Sequence, residues 1–207
     1  MTHLRHEKKI AWFVVMTFMA QPVFTLMALL IYPPDFSKEF PVYDPDGIML
    51  VAYGNALFIA GLTVMGIKLA DEKKVLPAAG FTMFAISGGI LTASLFEITQ
   101  VVSLETYEKF YRIQSSANFL YLPAMYLISA YEDFKKWIRY IGLVSSIPLL
   151  IASFMFLFGN RDFKTLETIS DIGFSFLAVT SFSWAYNVYI NYKKVQNRME
   201  KNLPNSS

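Results

Sequence analysis

The sequence predicts an all-α integral membrane bundle of six transmembrane helices, and three observations carry that prediction. Charged residues make up only 16% of the 207 positions, and the mean hydropathy is +0.40. Soluble domains carry roughly 25% charged residues. The charges are also segregated, leaving six charge-free windows at 10–34, 47–67, 75–96, 113–131, 140–160 and 172–192. A helix needs about 20 apolar residues to cross hydrocarbon, and each window meets or approaches that length. Finally, Lys and Arg alternate in density from one connecting segment to the next. Thirteen of the eighteen fall on the side of the N-terminus and five on the other. By the positive-inside rule this places both termini in the cytoplasm and requires an even number of spans. The expected setting is a cell or inner membrane, with the lipid bilayer as the main partner.

The first helix, 10–32, follows Arg5, Lys8 and Lys9. Its apolar run exceeds the 7–15 residues of a signal peptide and no Ala-x-Ala site ends it, so it is expected to be a retained span. Thr17, Gln21 and Thr25 form a polar stripe on it, and Pro22 removes one amide donor from its interior. The segment before the second helix holds Pro33, Pro34, Pro41 and Pro45, which favours extended backbone. Asp46 is the expected cap of helix 48–69. That helix carries Asn55 and a small-residue stripe of Ala52, Ala56 and Ala60. The third, 76–97, carries a matching stripe of Ala85, Gly89 and Ala93 and ends on Glu97. Such stripes ordinarily allow close packing between membrane helices.

Residues 97–112 mix Val101, Leu104, Tyr107 and Phe110 with charges, so this segment is expected on the membrane surface or over the bundle mouth. Helix 113–131 opens with Gln114, Ser115, Ser116 and Asn118 and is the most polar of the set. Without it the span count falls to five and the C-terminus moves outside. Helix 138–159 contains Pro148, and helix 169–191 contains Asp171, Ser175, Thr180, Ser183 and Asn187. The polar tail 196–207 is expected to fray.

Composition narrows the chemistry. Cysteine is absent, and the only histidines, His3 and His6, lie in the N-terminal tail. No thiol nucleophile, thiolate metal site or intramembrane histidine is therefore available. No phosphate-binding loop or nucleophile elbow occurs, and neither a cofactor, a metal nor a nucleic-acid partner is implied.

Polar groups in hydrocarbon favour the bundle interior or a water-filled cavity. Gln21 and Asn55 fall at matching depths, about 17 Å from one boundary and about 11 Å from the other. Gln114 and Asn118 share a face of the fourth helix, and Asp171 and Ser175 share one of the sixth. Glu97, Arg112 and Asp171 mark the outer rim. Two readings stand. These eight residues surround an outward-facing polar cup for a small or lipidic ligand. Alternatively, they make interhelical hydrogen bonds and helix-end charges, with Arg112 paired to Glu97. An enzymatic reading would require Glu97 and Asp171 to converge as an acid/base pair.

Four stretches, "YGNALFIAGL" (53–62), "GGILTASLF" (88–96), "NFLYLPAMYLIS" (118–129) and "ETISDIGFSFLAV" (167–179), resemble the domain of unknown function 998 family. That family comprises prokaryotic multi-pass membrane proteins. The chain departs from it at Glu97-Ile98-Thr99 and at Gln114-Ser115. The resemblance implies a multi-span membrane fold and transfers no site residue. The leading expectation is a non-enzymatic membrane protein that binds or moves a ligand in the cup. The alternative is a membrane scaffold that packs through its small-residue faces.

Overall fold

The computed structural model describes residues 2–35, 42–99 and 103–202. Six helices follow in order: α1 (Thr2–Ile31), α2 (Pro45–Asp71), α3 (Val75–Leu95), α4 (Leu104–Ile128), α5 (Lys136–Leu157) and α6 (Phe163–Asn202). A 3-10 turn, Phe96–Thr99, prolongs α3. Each helix packs on its chain neighbours, and α6 returns to pack on α1, so the six form a closed ring. Short connections force this antiparallel, sequential order. Among the described residues, four segments are long and apolar enough to cross a membrane: Glu7–Ile31, Pro45–Asp71, Val75–Ile98 and Lys136–Leu157. Helices α4 and α6 are as long but more polar, because α4 opens with charged turns and α6 continues into the basic tail.

Helix boundaries follow local capping. Asp44, not Asp46, caps α2: its carboxylate accepts the Asp46 amide at 2.8 Å, with Pro45 at the first helical position. Ser103 caps α4 through the Thr106 amide. The 97–112 segment therefore divides into a 3-10 turn and the first turns of α4; Gln100, Val101 and Val102 lie outside the described residues. Asp162 accepts the Thr165 amide at 3.2 Å and its hydroxyl at 2.6 Å, starting α6 six residues earlier than the charge-free pattern predicts. The expected frayed tail is helical as far as Asn202, and the remainder lies outside the described residues. Between α1 and α2, Asp35 and Val42 exchange both backbone hydrogen bonds, so the ends of that proline-rich connection pair with each other.

Helix α5 ends in a Schellman turn. Gly159 adopts φ +93°, its amide bonds Phe156, and the Asn160 amide bonds Met155. At the end carrying both chain termini, Lys74 pairs with Glu72 at 2.8 Å and with Asp133 at 2.6 Å. The Asp133 carbonyl accepts from Asn187 and Asn191, both at 3.0 Å, tying the α4–α5 connection to α6.

Close packing uses glycines other than those in the predicted stripes. Ala56, Gly89 and Ala93 are exposed, and a methyl group added at Gly89 would meet nothing within 4 Å. Instead Gly47, Gly54 and Gly61, seven residues apart, bring α2 against Phe24 and Thr17 of α1 and against Tyr32 just beyond its end. A seven-residue spacing keeps one seam in register along antiparallel helices. Gly80 lets α3 approach α4 so closely that a Cβ there would stand 2.8 Å from the Ala124 carbonyl oxygen.

The termini end of the ring is filled by aromatic side chains. Trp184 is surrounded by Phe18, Phe81, Phe84 and Phe134, with ring centroids 5.3–6.0 Å away. A second cluster at the other end joins Ile48 and Ile98 to Tyr107, Tyr111, Phe156 and Phe163. Dense packing stops between the two clusters.

Candidate functional site

A cavity of about 620 Å³ occupies the ring between the two clusters. Its floor is formed by Phe58, Phe84, Tyr121 and Leu177, which cap the aromatic core below. Its far wall and cover come from Tyr43, Ile48, Ile98, Tyr107 and Tyr111. Helices α1, α2, α3, α4 and α6 all contribute, and α5 adds Leu149. The surface is largely apolar with a few polar groups, the usual composition of a small-molecule site.

The polar groups arrive by helical spacing. On α1, Gln21 and Thr25 lie one turn apart, with Gln21 Nε2 donating to Thr25 Oγ1 at 3.5 Å. On α4, Gln114, Asn118 and Tyr121 share one buried face. Asn118 Nδ2 donates to the Leu149 carbonyl and to Ser153 Oγ, and the Tyr121 hydroxyl pairs with Ser145 Oγ at 2.8 Å. These bonds fasten α4 to α5 and fix the Asn118 and Tyr121 side chains in the wall. On α6, Glu167, Asp171 and Ser175 follow at four-residue intervals with Ser170 beside them, all lining the cavity.

Several of these groups are buried without a partner. Gln21 Oε1, Gln114 Oε1, Glu167 Oε1 and Ser170 Oγ are inaccessible and make no hydrogen bond among the described residues. The four side chains are at most 8% exposed. An unsatisfied buried polar atom costs about 1–3 kcal/mol, and folded proteins carry few of them. Four around one cavity mark it as a place where hydrogen-bonding capacity is held in reserve.

Of the eight residues the sequence suggests, six line this cavity: Gln21, Asn55, Gln114, Asn118, Asp171 and Ser175. Glu97 and Arg112 do not line it. Glu97 pairs with Lys109 at 2.6 Å, and Arg112 lies 3.9 Å from Glu108. The expected Arg112–Glu97 pair is replaced because Lys109 and Glu108 belong to turns of α4 that the charge-free window excluded. Glu108 also accepts from Arg161 Nε at 2.9 Å, joining the start of α4 to the α5–α6 connection. Glu167 and Ser170 were missed for a related reason. They precede or open the predicted sixth helix, but extending that helix back to Phe163 puts Glu167 one turn before Asp171.

The electrostatics of the lining are one-sided. Asp44, Glu167 and Asp171 contribute carboxyl groups, and among the described residues the lining contains no Lys, Arg or His. Among the described residues, no group of three or more His, Cys, Asp or Glu is placed to hold a metal ion.

The cavity also has a side. Leu26 and Leu29 of α1 and Asp171 and Ser175 of α6 line it while remaining exposed on the outside of the ring. Asp171 and Ser175 additionally line a groove on the outer face of α6 with Ile172 and Phe176. Ring contacts between α1 and α6 lie nearer the termini, at Trp12–Tyr189 and Phe18–Trp184. Pro22 withholds an amide from α1 where the two helices stop sharing those contacts.

No protein family, curated protein or solved structure compared with this chain matches it. Its functional reading therefore rests on the cavity itself.

Proposed function

We propose that this chain is a six-span membrane protein, with both termini cytoplasmic, that binds a small or lipidic ligand in the outer half of the bundle. The observation that carries the reading is the cavity of about 620 Å³ bordered by four buried polar side chains that each keep one oxygen without a partner among the described residues. A volume of this size accommodates a drug-sized molecule. In hydrocarbon an unsatisfied polar group has no bulk water to turn to, so a ligand that supplies the missing partners gains more there than at an aqueous surface. The basic residues gathered at the termini end support the orientation, which puts the cavity on the outer side.

Native mass spectrometry of the detergent-purified protein tests this reading. A bound small molecule or lipid of defined mass is expected. It should be lost from Ala178→Phe, which fills the cavity, and weakened in Gln114→Leu, while thermal unfolding stays within a few degrees of the parent. A bundle that carries no adduct, or an adduct indifferent to both substitutions, overturns the proposal.

One observation favours a second reading, a membrane scaffold. Gly89 and Ala93 present an exposed small-residue face on α3 that nothing in the described chain covers. Under that reading Gly89→Leu disrupts association with another chain and leaves the adduct in place.

A further inference from the structure

We propose that the ligand is an amphiphile with a cationic or hydrogen-bond-donating nitrogen head, reaching the cavity sideways from the bilayer between α1 and α6. The inference rests on the ligand-binding reading above and adds its chemical class and route. Three features converge on it.

The first is the sign of the lining. Asp44, Glu167 and Asp171 line the cavity, and among the described residues no basic side chain joins them there. A carboxylate or phosphate head would meet only acidic side chains there, whereas an amine head can pair with them as a hydrogen-bond donor or as an ammonium. The Gln21 and Gln114 amides can turn either end toward a ligand, so the sign of the site is set by the carboxylates. Among them Glu167 is the most enclosed, 8% exposed, and its Oε1 makes no hydrogen bond among the described residues.

Aromatic placement is the second. Tyr107, Phe110 and Tyr111 line the cavity at the end where Glu167 lies and give that end an aromatic wall. Tyr111 is wedged between Phe156 and Phe163, with centroids 5.7 and 5.5 Å away, so its position is fixed by packing. At the opposite end the floor of Phe58, Phe84, Tyr121 and Leu177 is mainly apolar, the Tyr121 hydroxyl being bonded to Ser145. The cavity therefore has a head end and a tail end.

The route is the third feature. Leu26 and Leu29 on α1 and Asp171 and Ser175 on α6 belong both to the cavity lining and to the outer surface of the ring. A carboxylate on a surface that faces the bilayer is costly unless it has a use. At this mouth Asp171 lies within the first turns of α6, where an amphiphile's polar head would travel while its chain stays in hydrocarbon.

Three twelve-carbon probes, dodecylamine, dodecanol and dodecanoate, test the class on the full-length protein in zwitterionic nanodiscs. Affinities are read by native mass spectrometry and checked by thermal shift. Dodecylamine is expected to bind roughly tenfold or more tightly than either of the others. That preference should disappear in Glu167→Gln/Asp171→Asn, with dodecanol binding unchanged as the control for folding. Leu29→Trp should slow association of all three probes. Equal binding of the three probes, tighter binding of dodecanoate, or a preference that survives the double substitution overturns the nitrogen-head assignment and leaves the cavity reading intact. An unaltered association rate in Leu29→Trp overturns the lateral route. Failure of every probe to bind overturns the cavity reading itself.

Discussion

Asp133 shows how one side chain at a helix connection joins three elements. Its carboxylate takes the Lys74 ammonium from the α2–α3 connection, and its carbonyl takes two asparagine amides from α6. The Lys74 hydrogen bond holds the Asp133 carboxyl below its ordinary range. A carboxyl depressed by folding contributes stability above its unfolded value, and loses that contribution as pH falls through the folded value. Acidification below about pH 4 should therefore destabilise the parent more than Asp133→Asn, which retains the carbonyl bonds. Because Asp133 is half exposed, the difference should stay under about 1 kcal/mol. Thermal unfolding in detergent from pH 6 to pH 3 checks it, and parallel curves for the two proteins would contradict it.

Helices α2 and α3 separate two roles of glycine at the scale of the element. A methyl group at Gly80 would press on the backbone of α4, 2.8 Å from both the Ala124 carbonyl oxygen and the Ile128 amide nitrogen. Backbone cannot rotate away as a side chain can, so Gly80→Ala should cost about 1–3 kcal/mol. Gly89→Ala adds a methyl group in open space and should be neutral or stabilise by up to about 1 kcal/mol, through helix propensity alone. Paired unfolding measurements distinguish them, and equal effects would refute the assignment of the packing seam. The sequence shows both glycines on apolar helices. It does not show which one meets a neighbour, because that depends on helix rotation within the ring.

The ring as a whole makes a topological prediction that the absence of native cysteine renders easy to read. With six spans, Lys164→Cys in the first turn of α6 should react with an impermeant maleimide added outside intact cells. Glu132→Cys, in the α4–α5 connection, should react only after permeabilisation. If α4 fails to cross, both sites exchange sides and the six-span topology falls. The same closure of α6 onto α1 turns the polar stripes of α1, α4 and α6 into one lining. Gln21 and Glu167 are 146 positions apart in sequence and line the same cavity.

Much of this architecture is legible in the chain before it folds. The helical class, the approximate position of every helix and the amino-acid chemistry excluded by two peripheral histidines and no cysteine are all written locally. Hydrophobic run length, proline and charge act within a single segment, so no knowledge of neighbours is needed. Five of the six candidate residues that line the cavity, all but Asn55, were marked by the same kind of local signal, since polar side chains at four-residue intervals must share a face. Tertiary structure decided the rest. It gave Glu97 to Lys109, added Glu167 and Ser170 to the lining, and moved the close approach from Gly89 to Gly80. Each of those outcomes turns on the rotation and end-point of a helix relative to another, and capping and side-chain packing across the ring set both.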